Sequence, residues 1–163
     1  MVDDVLNKYG QLVVTQLRDA IKNKPLPRNG GKSSVANASG NLEKTLNYEV
    51  ENGVLKVYAN KYIGALIFGR KPTTNSGNGT LKLKIRQWID DKGIVPKDNI
   101  SKDSLAFLIT RKIHREGNSL YPNGSDLLSA IVTDKLISDL KSDIFLEFTD
   151  IVKTGFQTLK KAA

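Results

Sequence analysis

The sequence predicts an α+β fold: a small antiparallel sheet built on a hairpin at about residues 46–59, packed by long amphipathic helices. Three observations lead to this prediction. Asn52-Gly53, a preferred two-residue turn, stands between two segments in which apolar and polar residues alternate. Apolar residues recur at steps of three and four over residues 3–23 and again after residue 127. Two stretches rich in glycine, proline and serine or threonine, at about 24–40 and 70–80, are typical of long flexible loops.

Residues 3–23 form the first predicted helix, because their apolar residues make one stripe along it. Pro25 and Pro27 end this helix and begin the first long loop, which is basic. A short helix is expected at 41–46, with Ser39 or Asn41 as its cap.

The hairpin is the clearest local signal in the chain. A type I′ turn at Asn52-Gly53 pairs Val50 with Leu55 and places Glu49 opposite Lys56. One face of the hairpin is then entirely apolar: Leu46, Tyr48, Val50, Leu55, Val57 and Ala59. Turn, alternation and charge pairing therefore agree on one register.

Four further elements follow the hairpin. Tyr62 to Arg70 indicates a short buried helix or extended segment, whose glycines let backbones approach closely. A helix at 81–92 has an inward face of Leu81, Ile85, Trp88 and Ile89. A helix at about 102–116 is capped by Ser101 and turns Leu105, Leu108, Ile109 and Ile113 inward. A final helical region starts near Leu127 and breaks near Thr133-Asp134. With no repeat or linker, residues 1–163 are expected to form a single domain.

Composition excludes several classes of site. The chain has 163 residues, no cysteine and one histidine, His114. Disulfides, thiolate nucleophiles, cysteine-bound zinc and histidine-rich metal sites are therefore ruled out. The formal net charge is +8, and the excess lies in residues 18–32 and 61–116, the latter with 12 basic against 5 acidic side chains. Such a distribution fits a solvated basic surface or an anionic partner.

Motifs for catalysis are weak. Gly31-Lys32-Ser33 matches the end of a phosphate-binding loop, but Leu26 stands where its first glycine belongs. Asp139 and Asp143 share the polar face of a predicted helix, as solvated carboxylates do. His114 lies at a cationic helix end, which favours a surface role. We expect no enzyme, and no catalytic, metal-binding or cofactor-binding residue.

Nucleic-acid binding is the alternative that the charge keeps open. The helices at 81–92 and 102–116 are basic, but eight residues including Pro96 separate them, whereas a helix-turn-helix has a turn of about 3–4 residues. The alternative is therefore a basic nucleic-acid-binding or regulatory module that contacts the phosphate backbone through its loops and helix 102–116. The longest apolar run, Tyr62 to Phe68, is far below the roughly 20 residues of a membrane span, so no membrane partner is expected. The acidic start, Met1-Val2-Asp3-Asp4, lacks the basic pattern of a secretory signal, and the expected compartment resembles the cytoplasm.

The order of elements resembles the neck and tail-completion proteins of tailed bacteriophages. The similar residues are Ala38 to Thr45, the hairpin after them, and Tyr62, Phe68, Gly69 and Arg70 in the next segment. Ile67 stands where that family usually has glutamate, and Ile63 replaces an alanine. Ser104 to Ile109, Lys112-Ile113 and Gly117 look like the second half of such proteins, so the resemblance spans roughly residues 1–152.

This resemblance implies a non-enzymatic virion protein with an α+β fold, in which a long helix packs on a small antiparallel sheet. Such proteins join head and tail as homo-oligomeric rings between the portal and the tail, or cap the tail tube. The implied partners are other copies of the chain, portal or adaptor and tail proteins, and packaged DNA through nonspecific contact. The implied location is the virion, with assembly in the host cytoplasm.

The resemblance and the charge together give two sets of candidate residues. The candidate subunit interface comprises Tyr62, Ile63, Gly64, Leu66, Phe68, Gly69 and Arg70. The candidate contacts to a DNA channel or another anionic partner are Arg28, Lys32, Arg70, Lys71, Lys82 and Lys84.

Overall fold

The α+β class is confirmed by a computed structural model, which describes residues 2–27, 33–73, 79–97, 99–119 and 121–162. Within these residues there are six helices and two antiparallel two-stranded sheets, with 58% of the residues helical and 11% in strands. The elements are α1 (Val2–Asn23), β1 (Pro25–Pro27), β2 (Ser33–Val35), α2 (Asn41–Thr45), β3 (Asn47–Glu51), β4 (Val54–Tyr58), α3 (Ile63–Ile67), α4 (Thr80–Asp91), α5 (Lys102–Glu116) and α6 (Asp134–Ala162).

The hairpin has the predicted register. Val50 pairs with Leu55 and Glu49 with Lys56 across β3 and β4. The Lys56 ammonium nevertheless bonds Glu51 at 3.0 Å, on the diagonal, and the Tyr58 hydroxyl donates to Glu49 at 3.1 Å. The expected apolar face is mostly covered, but Val57 is 42% exposed.

The core forms where the second half of α1 meets the short elements around it. Its buried members are Val13, Val14, Leu17, Ala20, Ile21, Leu26, Leu42, Leu46, Tyr121, Leu127 and Ile131. Gly10 lies where α1 crosses the hairpin, and a Cβ there would overlap the Tyr48 ring and approach Leu55 Cδ1 at 2.8 Å. The missing side chain therefore lets the sheet pack directly on the helix.

Three predictions of local structure are wrong. The stretch at 24–40 is not structureless, because β1 and β2 pair within it, with Leu26 opposite Ser34 and fully buried. The cap of α2 is Gly40, with a φ of 78°, rather than Ser39 or Asn41. The helical region expected from Leu127 onward begins only at Asp134, since turns precede it and the anticipated break falls at Thr133.

The inward face of α5 also differs from the prediction. Ser101 caps the helix as expected, its hydroxyl accepting from the Ser104 N–H at 3.1 Å. Ala106 is buried, whereas Leu108 is 51% exposed and points outward. The buried face of α5 therefore includes Ala106 and excludes Leu108, which the spacing of the leucines does not reveal.

α6 runs back along the first half of α1. Leu136 packs against the core. Further along α6, the Asp143 carboxylate accepts hydrogen bonds from the Lys8 ammonium at 2.8 Å and from the Tyr9 hydroxyl at 3.1 Å. These two hydrogen bonds favour the ionised carboxyl, so they lower the pKa of Asp143 below its ordinary value of 3.8. Asp143 therefore forms a polar link between α1 and α6, the two longest helices.

We predict that Asp143→Asn removes a stabilisation that depends on pH. A carboxyl whose folded pKa lies below 3.8 stabilises the fold above that pH and loses this contribution as the pH falls through the folded pKa. The free energy of unfolding of the variant should therefore be lower than that of the natural chain near neutral pH, and the two should converge in strong acid. Urea unfolding across the acid range measures this, with Asp150→Asn as control, since Asp150 forms no ion pair within the described part of the chain. A difference that stays constant down to strong acid would contradict the prediction.

Candidate subunit interface

The segment predicted as a subunit interface contains α3 and the residues on either side of it. It is half-buried rather than buried, with Tyr62 45% exposed and Phe68 75% exposed. Burial raises the pKa of the Tyr62 hydroxyl. The expectation of a short helix is confirmed, and the expectation that the segment is buried is wrong, because one of its sides faces open space.

The predicted interface residues point in different directions. Ile63, Leu66 and Ile67 pack against the core and hold the segment in place. Tyr62, Leu66 and Arg70 line a cavity, which we call the α3–α5 cavity. Gly64 has no described atom near a built Cβ, so it is not a site of close approach, whereas Gly69 is one.

The α3–α5 cavity lies between the body of the protein and the α4–α5 helix pair. Its volume is about 320 Å³, and it is open to solvent on one side. Its walls are mostly apolar, with Ile85 and Trp88 from α4 and Ile109 and Ile113 from α5. An apolar, partly open space of this size suits an apolar side chain from outside the cavity better than it suits water.

Backbone crossings at three glycines fix one edge of this cavity. A Cβ at Gly69 would overlap the Pro122 carbonyl, one at Gly117 the Arg70 carbonyl, and one at Gly124 the Ile67 carbonyl. All three glycines have φ between 77° and 84°, a region that side chains disfavour. Residues 67–70 therefore lie in direct backbone contact with residues 117–118 and 122–124, and the Asn118 N–H donates to Arg70 O at 2.8 Å.

His114 is part of the same junction. The Thr73 N–H donates to the His114 carbonyl at 2.9 Å, and the Thr73 hydroxyl lies 2.6 Å from His114 Nδ1. His114 Nε2 is buried without a hydrogen-bond partner among the described residues. The imidazole therefore ties the end of α5 to the chain that follows Arg70.

The structure does not gather the six candidate basic residues into one patch. Arg28 and Lys32 lie outside the described residues. Arg70 lines the cavity, while Lys71 and Lys84 are exposed. Lys82 borders an outer groove beside Phe107 and Leu108, and it points away from Lys84 because residues two apart on a helix lie about 200° apart. None of the four described cations forms an ion pair with another described residue.

One apolar surface was not singled out from the sequence. Phe145, Phe148 and Phe156 are 69%, 60% and 64% exposed, and with the partly exposed Val152 they lie on one side of α6. The spacing of three and four residues is visible in the sequence, but the same spacing describes a buried stripe. Whether another element covers the stripe depends on the tertiary arrangement.

Other kinds of site and relationship were also sought. In the described ranges, no three His, Asp or Glu side chains are close enough to hold a metal ion. Those ranges contain no helix with the length and hydropathy needed to cross a membrane. Comparison with protein-family models, with curated proteins and with solved structures finds no match.

We predict that Gly124→Ala costs far more stability than Gly53→Ala. Both glycines have positive φ, at 84° and 73°, so both variants lose about 1–2 kcal/mol from the backbone conformation. Only Gly124 also lies against a carbonyl, while no described atom is within 4 Å of a Cβ at Gly53. The clash should add about 1–3 kcal/mol. Urea unfolding of the two variants measures both losses of free energy. Equal losses would contradict the prediction, because the backbone around Gly124 would then accommodate a Cβ at little cost.

Proposed function

We propose that this chain is a non-enzymatic structural protein of a virion, which assembles as a homo-oligomeric ring at the head–tail junction of a tailed bacteriophage. The order of elements around Ala38 to Arg70 supports the proposal through its resemblance to neck and tail-completion proteins. The partners would be other copies of the chain and the portal, adaptor and tail proteins beside the ring.

One observation carries the proposal: the apolar surface that the chain leaves uncovered at the predicted interface. Tyr62 and Leu66 line a half-open apolar cavity, and Phe68 beside them is 75% exposed. Contiguous apolar surface of this kind marks interaction sites on proteins. A protein whose role is to bind its neighbours needs such a surface.

The unpaired cations support a second part of the proposal. Lys71, Lys82 and Lys84 form no ion pair with other described residues, and Lys71 and Lys84 are exposed. Scattered cations attract phosphates without reading bases, as passage of DNA through a ring requires. We propose that these lysines contact packaged DNA nonspecifically.

The same cations favour the second candidate function, a nucleic-acid-binding or regulatory module. On this hypothesis helix α5 and the basic loops contact the phosphate backbone of a duplex, and the chain works without self-assembly. Arg111 on α5 forms no ion pair with a described residue and is exposed, as this role requires.

The mass of the oligomers that the chain forms distinguishes between the two proposed functions. We expect native mass spectrometry of the purified chain, alone and mixed with portal and tail proteins, to show an oligomer of one fixed copy number. The mixture is needed because a connector subunit alone can stay monomeric. A chain that remains monomeric in both samples and binds duplex DNA with strong salt dependence would refute the ring.

A second prediction concerns the DNA contact. Each phosphate contact lowers the slope of log binding constant against log salt by about 0.9. Replacing the exposed Lys84 by glutamine should therefore make that slope less negative by about 0.9, with little dependence on DNA sequence. Fluorescence anisotropy with a labelled duplex measures the slope, and Lys135→Gln, which removes a lysine paired with Asp139 on α6, is the matched control. An unchanged slope would remove Lys84 from the DNA contact.

A further inference from the structure

The wall of the α3–α5 cavity carries positive charge and no carboxylate. The described residues that line it include Arg70 and Lys92, whereas none of them is an aspartate or a glutamate. Most of the other lining side chains are apolar, and a charge beside apolar walls is screened less by water than a charge on an open surface. The cavity therefore favours an occupant that combines an apolar body with a negative charge.

The Arg70 guanidinium is available to such an occupant, because it forms no ion pair or hydrogen bond with another described residue. The main chain of Arg70 is held in place, since its carbonyl accepts from the Asn118 N–H at 2.8 Å. The Lys92 ammonium instead donates to the carbonyls of Val35 and Asn37, so it adds charge to the wall but is already engaged. Arg70 is therefore the lining cation that is placed to bind an anionic group directly.

A buried tyrosine adds an unused hydrogen-bond donor to the same wall. Tyr121 is only 7% exposed, yet its hydroxyl forms no hydrogen bond with another described residue. Buried tyrosine hydroxyls ordinarily have a hydrogen-bond partner. Gly69 lies against the Pro122 carbonyl, so the residues next to them, Arg70 and Tyr121, enter the wall from adjacent segments of main chain. A guanidinium and a hydroxyl are donors that a carboxylate can accept from.

The volume of the cavity limits the apolar body of the occupant. At about 30 Å³ for a group of the size of a water molecule, about 320 Å³ holds about ten such groups. Binding sites for small molecules start at about this volume, and they share its composition of apolar and aromatic walls with a few polar side chains. The open side of the cavity lets a small molecule enter while the helix pair stays folded.

We propose that the α3–α5 cavity binds a monocarboxylate with an apolar body of about eight to ten carbon atoms, the chemistry of a medium-chain fatty acid. The body contacts the apolar side chains of α4 and α5, and the carboxylate accepts hydrogen bonds from Arg70 and Tyr121. The proposal goes beyond the ring and does not depend on it, because the ligand binds within one copy of the chain.

The fluorescence of Trp88 tests the site directly, because Trp88 is the single tryptophan of the chain and lines the cavity. The full chain is titrated with decanoate below its micelle concentration, and with decan-1-ol, which has the same body without the charge. We expect a saturable change in Trp88 emission with one decanoate bound per chain. Isothermal titration calorimetry of the same mixtures measures the dissociation constants independently of the emission.

Two variants distinguish the charge of the site from its volume. Arg70→Gln removes the guanidinium and should raise the dissociation constant for decanoate about tenfold, while the constant for decan-1-ol changes less than about twofold. Ala65→Phe fills the cavity from its wall and should raise both constants at least about tenfold. Lys84→Gln removes an exposed lysine outside the cavity wall, so this matched control should leave both constants unchanged. Urea unfolding of each variant verifies that the fold is kept.

The outcomes test this site separately from the proposed ring. The absence of both an emission change and a heat of binding overturns the site. Equal decanoate affinity in Arg70→Gln and the natural chain also overturns it, as does decanoate binding that persists in Ala65→Phe, because the ligand then lies elsewhere. A fixed oligomer that binds no decanoate leaves the ring without the site, and a chain that binds decanoate but stays monomeric with portal and tail proteins leaves the site without the ring.

Discussion

The arrangement of this protein depends on one constraint, the backbone crossing of residues 67–70 with residues 117–118 and 122–124. Gly69, Gly117 and Gly124 each bring a Cα against a carbonyl where a Cβ has no space. The crossing lies beside both ends of the segment that holds α4 and α5, because this segment starts after Arg70 and ends at Gly117. The helix pair is thus fixed at its base by main-chain contacts, independently of how well its apolar face packs.

Because main-chain contacts hold the helix pair at its base, a cavity can remain beside an otherwise packed core. Ile89 and Ala106 are fully buried where α4 and α5 pack on each other. Trp88 and Ile109 face the body across the cavity, and Lys92 spans its edge by donating to the Val35 carbonyl at 3.2 Å. Since the base is held at the glycines and the far edge by Lys92, the helices are kept apart from α3 instead of collapsing onto it.

Sequence patterns determined the parts of the fold that depend on near neighbours. The register of β3 and β4 follows from Asn52-Gly53 and the alternation beside it, and the Ser101 cap follows from residues within one turn. The pairing of Leu26 with Ser34 was missed because β1 is three residues long and bounded by prolines, which remove N–H donors. The segment from Tyr62 to Arg70 was predicted as one unit, and its division into core-facing and cavity-facing residues required the position of α4 and α5. The exposed face of α6 was missed for the same reason, since helical spacing defines a stripe without saying what covers it.

The structure shows which of the cations behind the net charge of +8 are paired with carboxylates and which are not. Many cations of α4 and α5 are engaged within the helix pair, as Arg86 and Lys102 are with Asp90. These contacts lower the pKa of Asp90 and keep it ionised, so they neutralise part of the basic surface. Arg70 is set apart by its place in an apolar wall, where a carboxylate from outside would gain more than it would in open solvent. Lys84, on the far side of α4, has no such wall and stays available to phosphates. The basic stretch therefore contains cations of two kinds: those paired with carboxylates of α4 and α5, and those, such as Arg70 and Lys84, that form no ion pair with another described residue.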